Sequence, residues 1–203
     1  MKLYYSKGAC SLAVRIIIHE LNLNAEFIAV DLKTKKTEHG EDFININHKN
    51  SVAALVLDNG EILTENVAIM QYLADTNNAT HLLAPTKDWK RYRTLEWLNY
   101  LTTEIHKGFG PFFNPNFPQE FKQTAMLPIL ERKFQLIEDH LKNHAYLMGE
   151  NFTLPDAYLF VMLRWLTPVA KISMDKYPHL HRYFEALKQR DAIQKSLKEE
   201  GLN

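Results

Sequence analysis

At 203 residues the chain has room for one large domain or two small ones, and its 46% hydrophobic content is that of a globule with a sizeable core. Its 24 basic and 24 acidic side chains cancel, which argues against nucleic acid or an anionic membrane as a partner. A single cysteine, Cys10, excludes an internal disulfide framework and fits a reducing compartment.

The start, Met1-Lys2-Leu3-Tyr4-Tyr5-Ser6, lacks the apolar stretch of a secretory signal, so a cytoplasmic protein is expected. Leu3, Tyr4 and Tyr5 read as a short strand, broken by Ser6, Lys7 and Gly8. A helical pattern then begins at about Cys10. Leu12, Ala13, Val14, Ile16, Ile17, Ile18 and Leu21 fill most of its circumference, and Arg15, His19 and Asn22 form a narrow polar stripe at i, i+4 and i+7. A helix so widely apolar packs on more than one side. This reading sets Cys10 in the first helical turn, where unpaired N–H groups and the helix dipole favour a thiolate. Cys10 is therefore expected to titrate below a free thiol's value of about 8.5. A lone cysteine is more often a small buried hydrophobe, but the strand–turn–helix setting favours the chemical reading. Ala13 stands where a Cys-x-x-Cys pair would have its second thiol, so any redox chemistry needs an external thiol.

Residues 26–30 read as a second strand, and strand, crossover helix and strand at this spacing imply a right-handed parallel βαβ unit. Residues 33–51 are polar and read as an exposed loop with at most a short helix near 42–46. Asn59-Gly60, between the apolar runs of 54–64, is the strongest hairpin signal in the chain. A helix follows, with Val67, Met70, Leu73 and Ala74 on one face. The order βαβ then ββα predicts a small mixed sheet covered by helices, taken as a first domain of residues 1–80.

Residues 80–88, with Pro85, read as a linker, and 88–203 as an all-helical second domain. Leu95, Leu98, Thr102, Ile105 and Phe109 repeat at spacings of 3 and 4 and predict one helix over 89–109. Asn99, Thr103 and His106 form a separate polar stripe that needs water, a ligand or a second subunit. Another helix carries Leu130, Phe134, Ile137 and Leu141, and Pro128 is expected to kink or to start it. Thr153-Leu-Pro-Asp156 is a capping box opening a helix that is apolar nearly all round; the run 157–169 is interrupted by Arg164 and too short to span a bilayer. A last amphipathic helix carries Leu180, Tyr183, Phe184 and Leu187. His140 and His144, at i, i+4, lack a third ligand, so no metal is expected.

A small sheet domain with a solitary cysteine at its first helix, followed by a helical domain, resembles a glutathione transferase, most closely the bacterial beta class. The resemblance runs in order along the whole chain. It rests on Tyr4-Tyr5-x-x-Gly8-Ala-Cys10-Ser-Leu-Ala13, on Leu63-Thr-Glu65 through Asp75, and on Glu96-Trp-Leu-Asn99-Tyr. It continues through Thr103-Glu104-x-His106-Lys-Gly108-Phe, Phe152-Thr-x-x-Asp-Ala-Tyr-Leu-Phe160 and the closing Glu200-Gly-Leu202. The resemblance implies a thioredoxin-like first domain, glutathione as substrate and a homodimer. Cys10 and His106 would flank the glutathione sulfur, Lys35 would meet the glycyl carboxylate, and the Val52 backbone would pair with the cysteinyl residue. Glu65 and the Asn66 N–H would hold the γ-glutamyl end, with Asn99, Thr103 and Glu104 assisting, the last two possibly from the partner subunit. Phe109, Phe112 and Trp165, with Phe113 and Phe117 beside them, would line an electrophile pocket. Tyr5 and Ser11 are secondary candidates for activating the thiol.

The sequence departs from the family at three points. Ala53 replaces a cis-proline, and a trans Val52–Ala53 bond is expected because non-proline cis bonds are rare. Asn66 replaces a usual Ser or Gly, and Asn50 a usual glycine, which a left-handed backbone tolerates. Three activities follow as readings: conjugation of glutathione to small hydrophobic electrophiles, thiol–disulfide or peroxide reduction through Cys10, and non-catalytic carriage of ligands.

Overall fold

The short apolar run of the first strand, buried on both faces, sets the first layer. In the computed structural model, which describes residues 1–202, β1 (Lys2–Tyr5) buries Leu3 and Tyr4 at the centre of a five-stranded sheet. β2 (Glu26–Asp31) lies parallel to β1 after the crossover helix α1 (Leu12–Glu20). β3 (Lys36–Thr37), β4 (Ala54–Val56) and β5 (Ile62–Thr64) complete the order β3-β2-β1-β4-β5, all other pairings being antiparallel. The predicted βαβ unit and the Asn59-Gly60 hairpin are both present, and α2 (Asn66–Thr76) packs Ile69, Met70, Leu73 and Ala74 inward. The chain divides into two compact units, one of Met1–Leu83 joined by the chain from Gln189 onward, the other Ala84–Lys188.

Four readings of the first unit need correction: the start of α1, the strand missed in 33–51, the place of the last helix and the Val52–Ala53 bond. α1 begins at Leu12 rather than near Cys10, because the turn of 7–11 is not yet helical. Within the polar stripe, Arg15 is itself enclosed, 2% exposed and stacked on the Tyr5 and Phe27 rings at 4.1 and 3.9 Å. The polar 33–51 stretch holds the short helix expected near 42–46, as a 3₁₀ turn (Phe43–Asn45), but it also contains β3, and Phe43 is fully buried beside Tyr4; Phe43, Ile44 and Ile46 are too few to carry a readable period. Finally, a separate helix after the predicted last one, α9 (Asp191–Glu199), belongs to the sheet unit and not to the helical domain of 88–203, since Ala192, Ile193 and Ser196 are buried where it packs on α1. Val52–Ala53 is cis, not trans. Its neighbours on both sides are fixed, Val52 C=O by the Cys10 thiol and Ala54 by the β1 ladder, so tertiary context outweighs the local preference.

The second unit opens with α3 (Trp89–Tyr100), capped by Asp88, whose carboxylate accepts from Lys90 N–H. The single helix predicted over 89–109 is not uniform. After Tyr100 the chain continues as a π-helical segment (Leu101–His106) and a 3₁₀ turn (Lys107–Phe109). The wider turn brings Leu101 into the buried seam with Leu98, Ile105 and Phe109, leaving Leu95 and Thr102 only half-buried. Short helices α4 (Gly110–Phe113) and α5 (Gln119–Phe121) lead to α6 (Leu127–Leu141), which buries Leu130, Phe134, Ile137 and Leu141 as predicted. α7 (Leu154–Trp165) is the buried centre, every residue but Arg164 being enclosed, and α8 (Pro178–Lys188) packs on α6.

The α7 capping box also pins the unit together. Asp156, fully buried, accepts from Thr153 N–H (2.7 Å), Thr153 Oγ1 (2.8 Å), Leu147 N–H (2.9 Å) and the Tyr183 hydroxyl of α8 (2.7 Å). Removing the acceptor leaves several buried donors unpaired, each worth about 1–3 kcal/mol. Asp156→Ala is expected to lower the unfolding free energy by about 3 kcal/mol or more in urea denaturation, and Asp156→Asn by less.

Candidate active site

Sheet register gathers the candidates of the first unit at one end. β1 runs toward Cys10, β4 starts just after Val52, and β5 ends just before Glu65; the pairs Tyr4↔Ala54 and Ala54↔Thr64 bring those three strand ends side by side. β2, parallel to β1, ends at the same edge and leads to Lys35.

Cys10 is partly enclosed, its Sγ donating to the Val52 carbonyl at 3.4 Å. Its own N–H, the Ser11 N–H and the Asn66 side-chain amide are directed at the sulfur and favour the thiolate. Burial outweighs them and pushes the thiol up, a shift to which the Glu65 carboxylate adds, so the expected depressed thiol is corrected. Ser11 and Tyr5 are occupied structurally: Ser11 Oγ accepts from Ser6 N–H at 3.2 Å, and Tyr5 lies under Arg15.

Around the thiol, Lys35 takes a left-handed backbone (φ +60°), and its Nζ reaches the Asn50 carbonyl at 3.2 Å. Asn50 adopts the left-handed conformation (φ +53°) that the missing glycine required. Glu65 stands immediately before α2 with φ +74°, uncommon for a non-glycine residue and often kept where function demands it. Its carboxylate is paired with Lys49 Nζ at 2.7 Å, and the same ammonium meets Thr64 Oγ1 at 2.9 Å. Asn66 begins α2; its side-chain Oδ1 is buried without a partner, while the helix start offers unbonded N–H groups.

In the second unit, His106 closes the π-helical segment, with Nδ1 2.7 Å from the Tyr158 hydroxyl and its ring 5.3 Å from Trp165. Phe109, fully buried, packs edge-on against Trp165 and Phe134, so it backs the aromatic cluster rather than lining an open surface. Phe113 is the exposed face, 51% accessible and 5.0 Å from Trp165, with Phe112 half-buried next to it. Thr103 Oγ1 donates to the Asn99 carbonyl at 3.0 Å, and Glu104 is bridged by Lys133 at 2.8 Å, which holds its carboxyl below the usual range. His140 and His144 are stacked 4.3 Å apart, each with a ring nitrogen at a backbone carbonyl. Among the described residues no group of three or more His, Cys, Asp or Glu is placed to hold a metal. Lys49 and Tyr158 escaped the sequence reading. Lys49 is indistinguishable in sequence from a solvated lysine run, whereas Tyr158, inside the Phe152–Phe160 motif, could have been singled out.

A thiol at the first helix of a five-stranded mixed sheet, and a histidine set among aromatics in a helical unit, define the class: a thioredoxin-like domain joined to an all-helical one. Residues 1–75 match the family model "Glutathione S-transferase, N-terminal domain", and residues 100–191 "Glutathione S-transferase, C-terminal domain". Glutathione S-transferase GstA of Escherichia coli O157:H7 is 45% identical over 202 residues, covering all of both chains. The structure of a sphingomonad glutathione S-transferase complexed with glutathione superposes at TM-score 0.95, with 41% identity and full coverage of both chains. A bacterial beta class glutathione S-transferase of Sphingomonas chungbukensis does so at 0.95 with 39% identity, again over both whole chains. The chain belongs to the glutathione S-transferase family.

Because burial is the largest influence on Cys10, pH-dependent alkylation of the ligand-free protein is expected to give a midpoint above that of a free thiol. Asn66→Ala, which removes a donor that favours the thiolate, is expected to move that midpoint further up.

Proposed function

We propose that the chain conjugates glutathione, as its thiolate, to small hydrophobic electrophiles in a detoxifying reaction. The observation that carries this reading is the enclosed Cys10: a thiol held neutral is a donor, able to hydrogen-bond a substrate thiolate, and a poor nucleophile. In this reading the γ-glutamyl carboxylate lies on the Asn66 N–H at the start of α2, and its ammonium meets Glu65. Lys35 pairs with the glycyl carboxylate and Val52 with the cysteinyl backbone. His106, braced by Tyr158, hydrogen-bonds the glutathione sulfur, with Asn99, Thr103 and Glu104 assisting. The thiolate attacks the electrophilic carbon, a new S–C bond forms, and the leaving group departs with its electron pair. The rate gain comes from proximity and from donors aimed at the sulfur. The electrophile rests on the Trp165–Phe113–Phe112 surface, backed by Phe109.

The test separates conjugation from Cys10 nucleophilic chemistry. The protein is expected to be retained on immobilised glutathione and to turn over an activated aryl halide. Cys10→Ala should keep conjugation within about tenfold, a hydrogen bond's worth, while abolishing any mixed disulfide with glutathione. Glu65→Gln should weaken glutathione binding by about tenfold. Loss of all conjugation in Cys10→Ala would overturn the assignment of roles.

A cytoplasmic homodimer accompanies this reading. It is supported by the single cysteine, by the Asn99–Thr103 stripe and by exposed aromatics on α3, Trp89 at 72% and Tyr92 at 53%. No helix among the described residues is long and apolar enough to cross a membrane. Light scattering is expected to give twice the mass of one chain at micromolar concentration; the mass of a single chain would exclude the dimer.

A further inference from the structure

We propose that Glu200, at the opposite end of the chain from Cys10, is the positioning residue that holds the Cys10 turn in place; calling that turn functional rests on the reading above. Glu200 caps the end of α9, and its side chain is fully buried. Oε2 accepts the Gly8 backbone N–H at 2.8 Å, and Oε1 lies 3.2 Å from Arg15 Nε, an ion pair by distance without hydrogen-bond alignment. Gly8 precedes Cys10 by two residues and Arg15 follows it by five, so one carboxylate grips the chain on both sides of the thiol.

The placement of Glu200 is built in. Gly201 takes a left-handed φ of +60°, its N–H bonds Lys198 C=O at 3.0 Å, and Leu202 N–H bonds Leu197 C=O at 2.9 Å. These two bonds are the Schellman termination of a helix, which favours glycine at that left-handed position. The termination returns Leu202 over the turn: a Cβ at Gly8 would stand 3.5 Å from Leu202 Cδ2. The closing Glu200-Gly-Leu202 thus delivers a carboxylate to the Gly8 N–H and an apolar cover to the Gly8 Cα. Cys10 is partly enclosed, and its own and the Ser11 N–H point at the sulfur, an alignment that depends on the turn being held. Glu199 next to it serves as the internal reference: it pairs with Arg15 Nη1 at 3.0 Å and His19 Nε2 at 2.7 Å, both on α1.

The experiment compares Glu200→Ala, Glu200→Gln and Glu199→Ala in the full chain by melting temperature, amide hydrogen exchange at Gly8, and the pH profile of Cys10 alkylation by iodoacetamide. In Glu200→Ala the Gly8 amide is expected to exchange about tenfold faster, the alkylation profile to shift, and the KM for glutathione to rise more than kcat falls. Glu200→Gln keeps an acceptor of the same reach, so it should hold Gly8 exchange and alkylation within about threefold despite a lower melting temperature. Glu199→Ala should lower the melting temperature and leave both Cys10-turn readouts near the parent. The proposal is overturned if Glu199→Ala moves them as far as Glu200→Ala does. It is equally overturned if Glu200→Gln loses them in step with its melting temperature, a comparison that stands even where Glu200→Ala does not fold. A parent protein that fails to bind glutathione sinks the functional reading alone, because Gly8 exchange and alkylation still report on the turn.

Discussion

The register of β4 between β1 and β5 is the constraint on which the candidate site depends. Strand side chains alternate and both faces of β4 are buried, so a slip of one residue would exchange Ala54 and Leu55 between two closely packed faces, forcing a large side chain into the space of a small one and leaving a void on the other side. That penalty locks Tyr4 against Ala54 and Ala54 against Thr64. The residues just outside those strand ends then have no freedom to separate. Val52 meets the Cys10 thiol because Ala54 is paired, and Glu65 stands at the start of α2 because Thr64 is paired. Residues distant in sequence are assembled by hydrophobic burial elsewhere in the sheet, and the site inherits its geometry from the core.

Much of this was legible because it repeats. The α1 circumference, the Asn59-Gly60 turn, the Leu130–Leu141 seam of α6 and the enclosed α7 all carry a period or a turn signal that physics ties to one structure. The misses share the opposite property. Phe43 is one of only three apolar residues in a polar stretch, and the π-helical turn at Leu101–His106 changes the period that a 3.6-residue count assumes. The fourth strand's cis entry and the docking of α9 on α1 are decided by partners far along the chain, which local propensity does not see. Of the site, Cys10, Val52 and Asn66 do come together; Lys49 beside Glu65 had no signal at all.

The thiol shows how a sound local argument loses to environment. A cysteine in a helix's first turn gains from free N–H groups, and such donors are indeed present from Cys10, Ser11 and Asn66. The helix starts two residues later than its sequence suggests, and the sulfur is enclosed, so the cost of desolvating a charge there exceeds what the donors return. The same donors become more useful to a charge that arrives on a substrate, since they are already oriented and need no reorganisation.

Two ion pairs of the first unit look alike by distance and do opposite work. Lys49–Glu65, at 2.7 Å, has both side chains more than half exposed, and pairs of that kind contribute about 0–1 kcal/mol. An ammonium held so weakly is easily exchanged for another, which suits the role proposed for Glu65. Arg15 and Glu200 are both enclosed, and there the cost runs the other way: removing Arg15 takes the cation from a buried carboxylate, a loss of about 3–5 kcal/mol, whereas removing Glu200 leaves Arg15 its pair with Glu199. Such a pair suits a support and not a ligand site. Exposure, more than separation, therefore sorts the charges of this unit into those free to trade partners and those that hold the chain still.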